Sequence, residues 1–194
     1  MVLSTAKKAS PRERLLAAAD ELFYNEGIHT VGIDRVIEKA GVAKGSLYYN
    51  FSGKDELIRE YLLGRHAAWT ARIDAAIAQE TDPAAKILTV FDVLGELFAE
   101  PDYRGCSFMN AVAEAPDGGP EIAAAKNFRL WLHGMFGELV AGLQVNNPSQ
   151  LASQLVILYD GAVAAAQMDA SPAAAQTAKV LADLVITGDA TRRP

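Results

Sequence analysis

The sequence of 194 residues contains one cysteine, Cys106, so no disulfide can form within the chain. No run reaches the ~18 uninterrupted apolar residues of a membrane-spanning helix. The first fifteen residues lack the apolar segment and cleavage site of a secretory signal peptide. Strict alternation of apolar and polar residues, which would indicate strands, is also missing. These absences predict an all-α protein in a reducing, cytoplasmic setting without a membrane partner.

The usual signatures of catalysis and metal binding are missing as well. The three histidines lie far apart, and no cluster of His, Cys, Asp and Glu has the spacing of metal ligands. Neither a phosphate-binding loop nor a nucleophile elbow is present. The sequence therefore predicts no enzyme activity, no metal site and no cofactor.

Acidic residues outnumber basic ones, and the formal net charge of -6 by itself argues against a nucleic-acid partner. The charge is unevenly distributed, because residues 1–54 carry a balance of +2 and the remainder carries -8. A mildly basic end on an acidic body is typical of a protein that contacts phosphate with one end only. Chance scatter is the alternative explanation for so small a difference.

Apolar residues at helical spacing, interrupted by Gly and Pro, predict about nine helices. Ser10 and Glu13 form a capping-box pattern that begins the first helix, and Gly27 ends it. Two short helices follow, Ile33–Ala40 and Lys44–Asn50. Longer helices are expected at about 54–78, 83–100, 121–144, 148–168 and 172–186, and a further short one at about 106–115. Residues 188–194 are expected to fray, and residues 1–9 to form a loose arm.

The two short helices predict a helix-turn-helix, since a tight turn at Gly41 makes them cross steeply. The inward residues would be Ile33, Val36, Ile37, Ala40, Val42 and Leu47. The outward ones would be Lys44, Gly45, Ser46, Tyr48, Tyr49 and Asn50. These outward types suit phosphate, sugar and base edges, which favours DNA binding over a merely solvated polar face. Lys54 would anchor a phosphate, and Lys7, Lys8 and Arg12 would extend the footprint.

Four stretches of this region resemble the head of the tetracycline-repressor (TetR) family almost without gaps over Arg12–Ile58. They are Arg14–Phe23 with Glu26-Gly27, then Ile33–Ile37, Ala40–Phe51 and Lys54–Leu57. The resemblance implies an all-helical homodimeric bacterial repressor, with a helix-turn-helix DNA-binding head at residues 1–54. Residues 55–194 would form a helical bundle for ligand binding and dimerisation. The head would bind a palindromic operator, and a small effector would release it.

By position, Lys44, Gly45, Ser46, Tyr48 and Tyr49 fall on the family's DNA-contacting positions, and Lys54 falls on its phosphate-contacting lysine. The chain departs from the family at Val31-Gly32, where Thr-Ser is frequent. Thr30 or the amides around Gly32 would substitute for the missing hydroxyls. The predicted DNA-binding set is Thr30, Lys44, Gly45, Ser46, Tyr48, Tyr49, Asn50 and Lys54.

The last two helices have apolar faces and dense alanines, which allow helices to approach closely. The resemblance implies that they pair with their copies in a four-helix dimer interface, whereas an ordinary internal core is the alternative. The predicted interface residues are Leu151, Leu155, Leu158, Ala162, Val180, Leu181, Leu184 and Val185.

The middle helices carry most of the large apolar side chains, and the resemblance implies a cavity for a small, apolar effector among them. The candidate lining residues are Trp69, Phe91, Phe98, Met109, Asn110, Trp131, Met135 and Tyr159, for each of which an ordinary core position is the alternative.

Other hypotheses remain open from the sequence. Cys106 follows Gly105 at a helix start, where amides lower a thiol pKa, so it is either a redox sensor or a buried small residue. The protein as a whole is alternatively an enzyme or small-molecule carrier with a vestigial head. A third possibility is an activator or structural DNA-binding protein without an effector.

Overall fold

The computed structural model describes residues 9–191, and this part of the chain forms nine α-helices and no strand. The predicted all-α class is confirmed. The predicted N-terminal arm with Lys7 and Lys8, and residues 192–194, lie outside the described residues. The helices are α1 (Pro11–Glu26), α2 (Ile33–Ala40), α3 (Lys44–Asn50), α4 (Lys54–Ile77), α5 (Pro83–Phe98), α6 (Ser107–Glu114), α7 (Pro120–Ala141), α8 (Pro148–Asp169) and α9 (Ala173–Thr191).

Helix α1 begins and ends as the sequence predicts. The Ser10 hydroxyl accepts from the Glu13 amide at 3.2 Å, and the Glu13 carboxylate accepts from the Ser10 amide at 2.6 Å, which completes the capping box. Gly27 ends the helix with a positive φ of 96°, and its amide donates to the Phe23 carbonyl. A β-carbon would be strained in that conformation, so glycine suits this end of the helix.

The end of α9 differs from the prediction that residues 188–194 fray, because the helix continues through Gly188 to Thr191. Asp189 explains the difference. Its carboxylate accepts from the Asn146 amide at 2.8 Å, and its carbonyl accepts from the Asn146 side chain at 2.7 Å. These two bonds fasten the last turn of α9 to the loop between α7 and α8.

The buried apolar residues form two clusters, a head core and a body core. The head core joins α1, α2, α3 and the first half of α4, and it also takes in Phe108, Ala111 and Phe128 from α6 and α7. The body core joins the second half of α4 with α5, α7, α8 and α9. Trp69 of α4 packs against both clusters. Helix α4 is 24 residues, or about 36 Å, long and therefore spans both cores.

By length and mean hydropathy alone, α8 is able to cross a membrane, although it contains no long uninterrupted apolar run. A core helix meets the same criteria. Eight residues of α8 are buried, and the helix packs against α5, α7 and α9. Length and composition of α8 are thus accounted for by its position in the body core.

Leu47 is the one buried residue that anchors α3, whereas Tyr49 on the same helix is 90% exposed. We expect Leu47→Ala to lower the free energy of unfolding by about 2–5 kcal/mol, because it leaves a cavity in the head core. Tyr49→Ala should change it by less than about 0.5 kcal/mol. Urea denaturation followed by circular dichroism measures both. Equal losses would show that α3 does not present these two faces.

Candidate functional site

The turn between α2 and α3 is shaped by a glycine and by hydrogen bonds on both sides of it. Gly41 lies in the left-handed region, with φ 61° and ψ 42°, where glycine avoids the strain of a side chain. Its amide donates to the Glu38 carbonyl at 3.0 Å. Its own carbonyl accepts from the Arg14 guanidinium at 3.1 Å, so α1 fastens the turn.

Helix α3 presents the two faces that the sequence predicts. Leu47 is fully buried against Val36, Ile37 and Ala40 in the head core. On the other face, Lys44, Gly45, Tyr48 and Tyr49 are exposed, Tyr48 to 54% and Tyr49 to 90%. Two large aromatic side chains therefore lie in solvent beside a cation, which is typical of a surface that binds a partner.

Ser46 and Asn50 are only half-buried and are less available than the tyrosines. The Asn50 amide donates to the Ser46 carbonyl at 2.7 Å, one turn earlier in α3. This contact holds Asn50 against its own helix. A contact of Asn50 with DNA remains a prediction, and it would require this bond to break.

Lys44 is the exposed cation of α3, and its ammonium group lies 2.8 Å from the Asp34 carboxylate of α2. The hydrogen bond and the charge of Asp34 raise the pKa of Lys44, so its side chain stays protonated at neutral pH. Both side chains are largely solvent-accessible. Water and salt weaken such a pair, and a phosphate oxygen can therefore replace Asp34 as the partner of Lys44.

Lys54, the predicted phosphate anchor, is half-buried at the start of α4. Its ammonium group lies 5.9 Å from the centre of the Phe23 ring. Burial lowers the pKa of Lys54, and the charges of Glu121 and Glu114 oppose part of that shift. The side chain thus lies over the head core in this structure and is less exposed than Lys44.

The start of α2 explains the departure at Val31-Gly32. Val31 is fully buried and serves as a head-core residue, whereas Thr30 and Gly32 are exposed. Gly32 precedes α2 and provides no side-chain cap. The first amides of a helix have no partner within it, so they are available to an anion at this end.

Polar contacts from α1 connect the head to the body. The Tyr24 hydroxyl accepts from the Arg104 amide at 2.8 Å and donates to the Gly105 carbonyl at 3.1 Å. The Arg65 guanidinium of α4 stacks 4.1 Å above the Tyr24 ring. It also forms two hydrogen bonds with Asp20 of α1, at 2.5 and 2.8 Å. These contacts fasten the last turns of α1 to α4 and to the loop before α6.

The loop between α1 and α2 has its own connection to the body. The His29 amide donates to the Glu114 carboxylate at 3.1 Å, and the His29 ring lies 2.8 Å from the Glu121 carboxylate. Glu121 is fully buried, and its second oxygen has no hydrogen-bond partner among the described residues. Burying a carboxylate is costly without a partner. The contact with the His29 ring provides that partner for Glu121, and it holds His29 against the start of α7.

Three cavities surround α6. The central cavity has a volume of about 220 Å³. Its apolar and aromatic wall residues include Trp69, Phe108, Phe128, Tyr159 and Val163. Its polar wall residues include Tyr24 from the head, Tyr103, Arg65 and Arg72. The junction cleft, of about 560 Å³, lies between the end of α1, the loop before α6 and the end of α8. The outer groove, of about 370 Å³, lies between α6, α7 and α8 on the other side of Phe108 and Phe128. These two rings stack in parallel at 4.2 Å and line both the central cavity and the outer groove.

The predicted effector residues fall in different places. Trp69 and Tyr159 line the central cavity, Met109 lines the outer groove, and Phe98 and Asn110 line the junction cleft. Phe91 and Met135 are buried in the body core, and Trp131 packs between the two cores, so none of these three lines any of the cavities.

Sequence reasoning missed several wall residues of the central cavity, among them Tyr24 and Tyr103. Tyr24 belongs to α1, which the sequence assigns to the head, and Tyr103 lies in a loop. Neither position carries a local pattern that marks it, because the fold alone brings both to the cavity.

Cys106 precedes α6 and lies in the wall shared by the central cavity and the outer groove. Burial raises the pKa of the Cys106 thiol, and the amides of Phe108 and Met109 offset only part of this. The thiol form therefore predominates at neutral pH, which favours the buried-residue interpretation over the redox sensor.

The predicted dimer surface requires a correction on α8. Leu151, Leu155 and Ala162 are buried in the protomer's own body core, because that face of α8 packs on α7 and α9. Leu158 and Val185 are half-buried. The exposed apolar residues of these two helices are Ile157, Met168, Val180, Leu181 and Leu184, which we call the α8–α9 patch.

Comparison with known proteins gives matches over both the head and the whole chain. The model of the bacterial regulatory proteins of the tetR family matches residues 15–61. The crystal structure of a TetR-family transcriptional regulator from Streptomyces coelicolor is 34% identical and superimposes with a TM-score of 0.87. That match covers 94% of this chain and 91% of the Streptomyces chain.

Curated relatives match over shorter regions. The chain is 36% identical over 77 residues to the HTH-type transcriptional regulator LmrA of Bacillus subtilis, and 32% identical over 116 residues to the HTH-type transcriptional activator FasR of Mycolicibacterium smegmatis. These matches cover 39% and 59% of this chain. They span 41% of LmrA and 52% of FasR, so about half of each relative's length or less is matched.

The exposed position of Lys44 predicts a contact with phosphate. Each phosphate contact that is lost should reduce the slope of log K against log salt by about 0.9. We expect Lys44→Ala to lower the slope by this amount per protomer on a random-sequence duplex, measured by fluorescence anisotropy. Lys39→Ala is the matched control, because Lys39 is exposed and ion-paired like Lys44, with Glu21 at 2.6 Å, but lies on α2 and not on the exposed face of α3. Equal slopes for the two variants would contradict the assignment of Lys44.

Proposed function

Since this chain belongs to the TetR family of transcriptional regulators, we propose that it is a dimeric repressor that a small effector releases from a palindromic operator. The family consists of DNA-binding regulators and not of enzymes. The head, residues 1–54, binds DNA, and residues 55–194 bind the effector and form the dimer. The exposed face of α3 is the observation on which this proposal depends.

The α3 face supports insertion into the major groove. Leu47 fixes the helix from behind, so Lys44, Tyr48 and Tyr49 project from a rigid support. Gly45 has no side chain and leaves open space around its backbone, which permits a close approach to DNA. Tyrosine hydroxyls and lysine bind phosphate, while the rings contact the sugar walls of the groove.

The predicted contacts of Thr30, Ser46, Asn50 and Lys54 complete the DNA-binding face. Thr30 is exposed near the start of α2, beside amides that lack intrahelical partners. Lys54 would have to turn away from Phe23 to contact phosphate. Its contribution is therefore expected to be smaller than that of Lys44.

The α8–α9 patch supports a homodimer. Apolar side chains on both helices are exposed, and Gly161, Ala165 and Ala173 between them permit close helix packing. A second copy that packs on this patch would form a four-helix interface. Two heads held about 34–36 Å apart would then read the two halves of a palindrome.

The central cavity supports release by an effector, because it lies where the head meets the body. Tyr24 and Arg65 are in its wall, and both take part in the contacts that fasten α1 to α4 and to the loop before α6. A ligand in this cavity would displace these side chains. A shift of α4 and α1 changes the distance between the two heads, so the dimer no longer matches its operator.

Selection of bound fragments from genomic DNA tests the proposed function. We expect a palindrome upstream of this protein's own gene or of a neighbouring gene. Tyr49→Ala should weaken binding to that palindrome about tenfold, while folding is unchanged. Leu130→Ala is the matched control, because Leu130 is an exposed apolar residue of α7, at 63% exposure.

Two results would contradict the proposal. If Tyr49→Ala binds the selected DNA as well as Leu130→Ala does, α3 is not the reading helix. If no fragment is enriched, the protein acts through something other than operator binding.

The relative FasR is named as an activator, so the direction of control is tested separately. Transcription from the selected promoter should rise when the gene is deleted if the protein is a repressor, and fall if it is an activator.

Leu184 lies in the α8–α9 patch with 61% exposure, and Leu130 lies outside it with 63%. We expect Leu184→Glu to convert the dimer into a monomer, because it buries an unpaired carboxylate in the interface. Operator affinity should then fall about a hundredfold or more, since the two heads no longer bind together. Sedimentation velocity and anisotropy measure the two effects. Leu130→Glu should change neither, and a dimer that survives Leu184→Glu would exclude this interface.

A further inference from the structure

The central cavity is chemically specific enough to indicate what it binds, an inference that rests on the proposed role of this cavity as the effector site. Its volume of about 220 Å³ exceeds the ~150 Å³ of an apolar cavity that admits benzene. It lies below the ~300 Å³ at which pockets for drug-sized ligands begin. A ligand of one or two fused rings therefore matches the available space.

The walls favour a planar aromatic molecule. Trp69, Phe108, Phe128 and Tyr159 contribute rings from α4, α6, α7 and α8. The Phe108 and Phe128 rings stack on each other at 4.2 Å, so a ligand would contact only the ring faces and edges that this stack leaves free. Aromatic pairs gain energy from stacked and edge-to-face contacts beyond the burial of apolar area.

The charged groups of the wall are already balanced, which disfavours an anionic ligand. Arg65 is paired with Asp20, and Arg72 is paired with Glu96 at 3.2 Å and with Glu100 at 2.5 Å. Two guanidinium groups thus face three carboxylates. An anion would have to compete with these carboxylates and would be repelled by them.

A cationic ligand is disfavoured for a different reason. The Arg65 guanidinium lies over the Tyr24 ring, and the Arg72 guanidinium lies 6.0 Å from the Trp69 ring. The aromatic faces at this end of the cavity therefore already have cation–π partners. A cationic ligand beside the two arginines would be repelled by both.

The wall contains buried hydrogen-bond donors without a partner among the described residues, and the Tyr103 hydroxyl is one of them. The Tyr103 hydroxyl is shielded from solvent and makes no hydrogen bond with any described residue. A phenol hydroxyl is a hydrogen-bond donor, and leaving it without an acceptor is unfavourable. A carbonyl oxygen on the ligand would satisfy it.

From this combination we propose that the central cavity binds a neutral, planar molecule of one or two aromatic rings whose carbonyl oxygen accepts a hydrogen bond from Tyr103. Paired arginines, aromatic walls and an unsatisfied hydroxyl together select this chemistry.

Four matched naphthalenes test the proposal on the full-length protein by equilibrium dialysis. They are 2-acetylnaphthalene, which is neutral with an acceptor; 2-ethylnaphthalene, which lacks the acceptor; 2-naphthoate, an anion; and 2-naphthylmethylammonium, a cation. The acetyl compound should bind about tenfold or more tightly than either ion. Comparable or tighter binding of either ion, or no binding of the acetyl compound, would overturn the proposal.

Tyr103→Phe tests the hydrogen bond separately from apolar burial. The ratio of the Kd for the ethyl compound to the Kd for the acetyl compound should fall about two- to tenfold from wild type to the variant. The comparison of ratios cancels the different hydrophobicity of the probes. An unchanged ratio in a variant with an unchanged melting temperature would overturn the role of Tyr103.

A pair of alanines shows where the probes bind. Ala68 lines the cavity and is exposed on α4, so Ala68→Phe should narrow the entrance and weaken binding of the acetyl compound about tenfold. Ala67 is also exposed on α4 but is not in the cavity wall, so Ala67→Phe should have no effect. Equal binding by both variants would place the probes elsewhere and overturn the proposal.

Operator release, measured in parallel by anisotropy, separates this inference from the proposed function. If the acetyl compound binds with the expected preferences and releases DNA, both are supported. If it binds with those preferences but the operator complex persists, the ligand chemistry is supported and the proposed effector role of the cavity fails.

Discussion

The structure depends on one helix being shared by two hydrophobic cores. The first half of α4 is buried with the head core through Leu57, Ile58 and Leu62, and the second half joins the body core through Ile73. Trp69 packs against both. Because close-packed interiors transmit displacement, a change around the middle of α4 reaches both cores. The head therefore has no boundary at which it is mechanically independent of the body.

Polar contacts between particular residues also connect the head to the body. Arg65 connects α4 to α1 through Asp20 and Tyr24, and the Tyr24 hydroxyl is bonded to the loop before α6. His29 connects the start of the helix-turn-helix to α6 and α7 through Glu114 and Glu121. Since the central cavity adjoins the first of these connections, binding there and the position of α3 are expected to be linked. The same contacts also limit how far the head can move while remaining folded.

Much of the head could be predicted from the sequence because its determinants are local. The capping pattern at Ser10 and Glu13, the apolar spacing in α2 and the turn glycine Gly41 each act within a few residues. Leu47 and Tyr49 were assigned to opposite faces by helical geometry alone, and their burial confirms it. The effector residues were harder to predict, because a large apolar residue in a helix suits a core as well as a cavity.

The sequence by itself determined that the chain is helical, where most helices begin, and which face of α3 is polar, since capping, periodicity and turn chemistry are short-range. The tertiary structure decided the rest. It buried Leu151, Leu155 and Ala162 within the protomer and left Ile157 exposed on the same helix. It also placed Tyr24 in a cavity wall and Lys54 over Phe23. These outcomes depend on which helices pack together, and residues distant in sequence decide that.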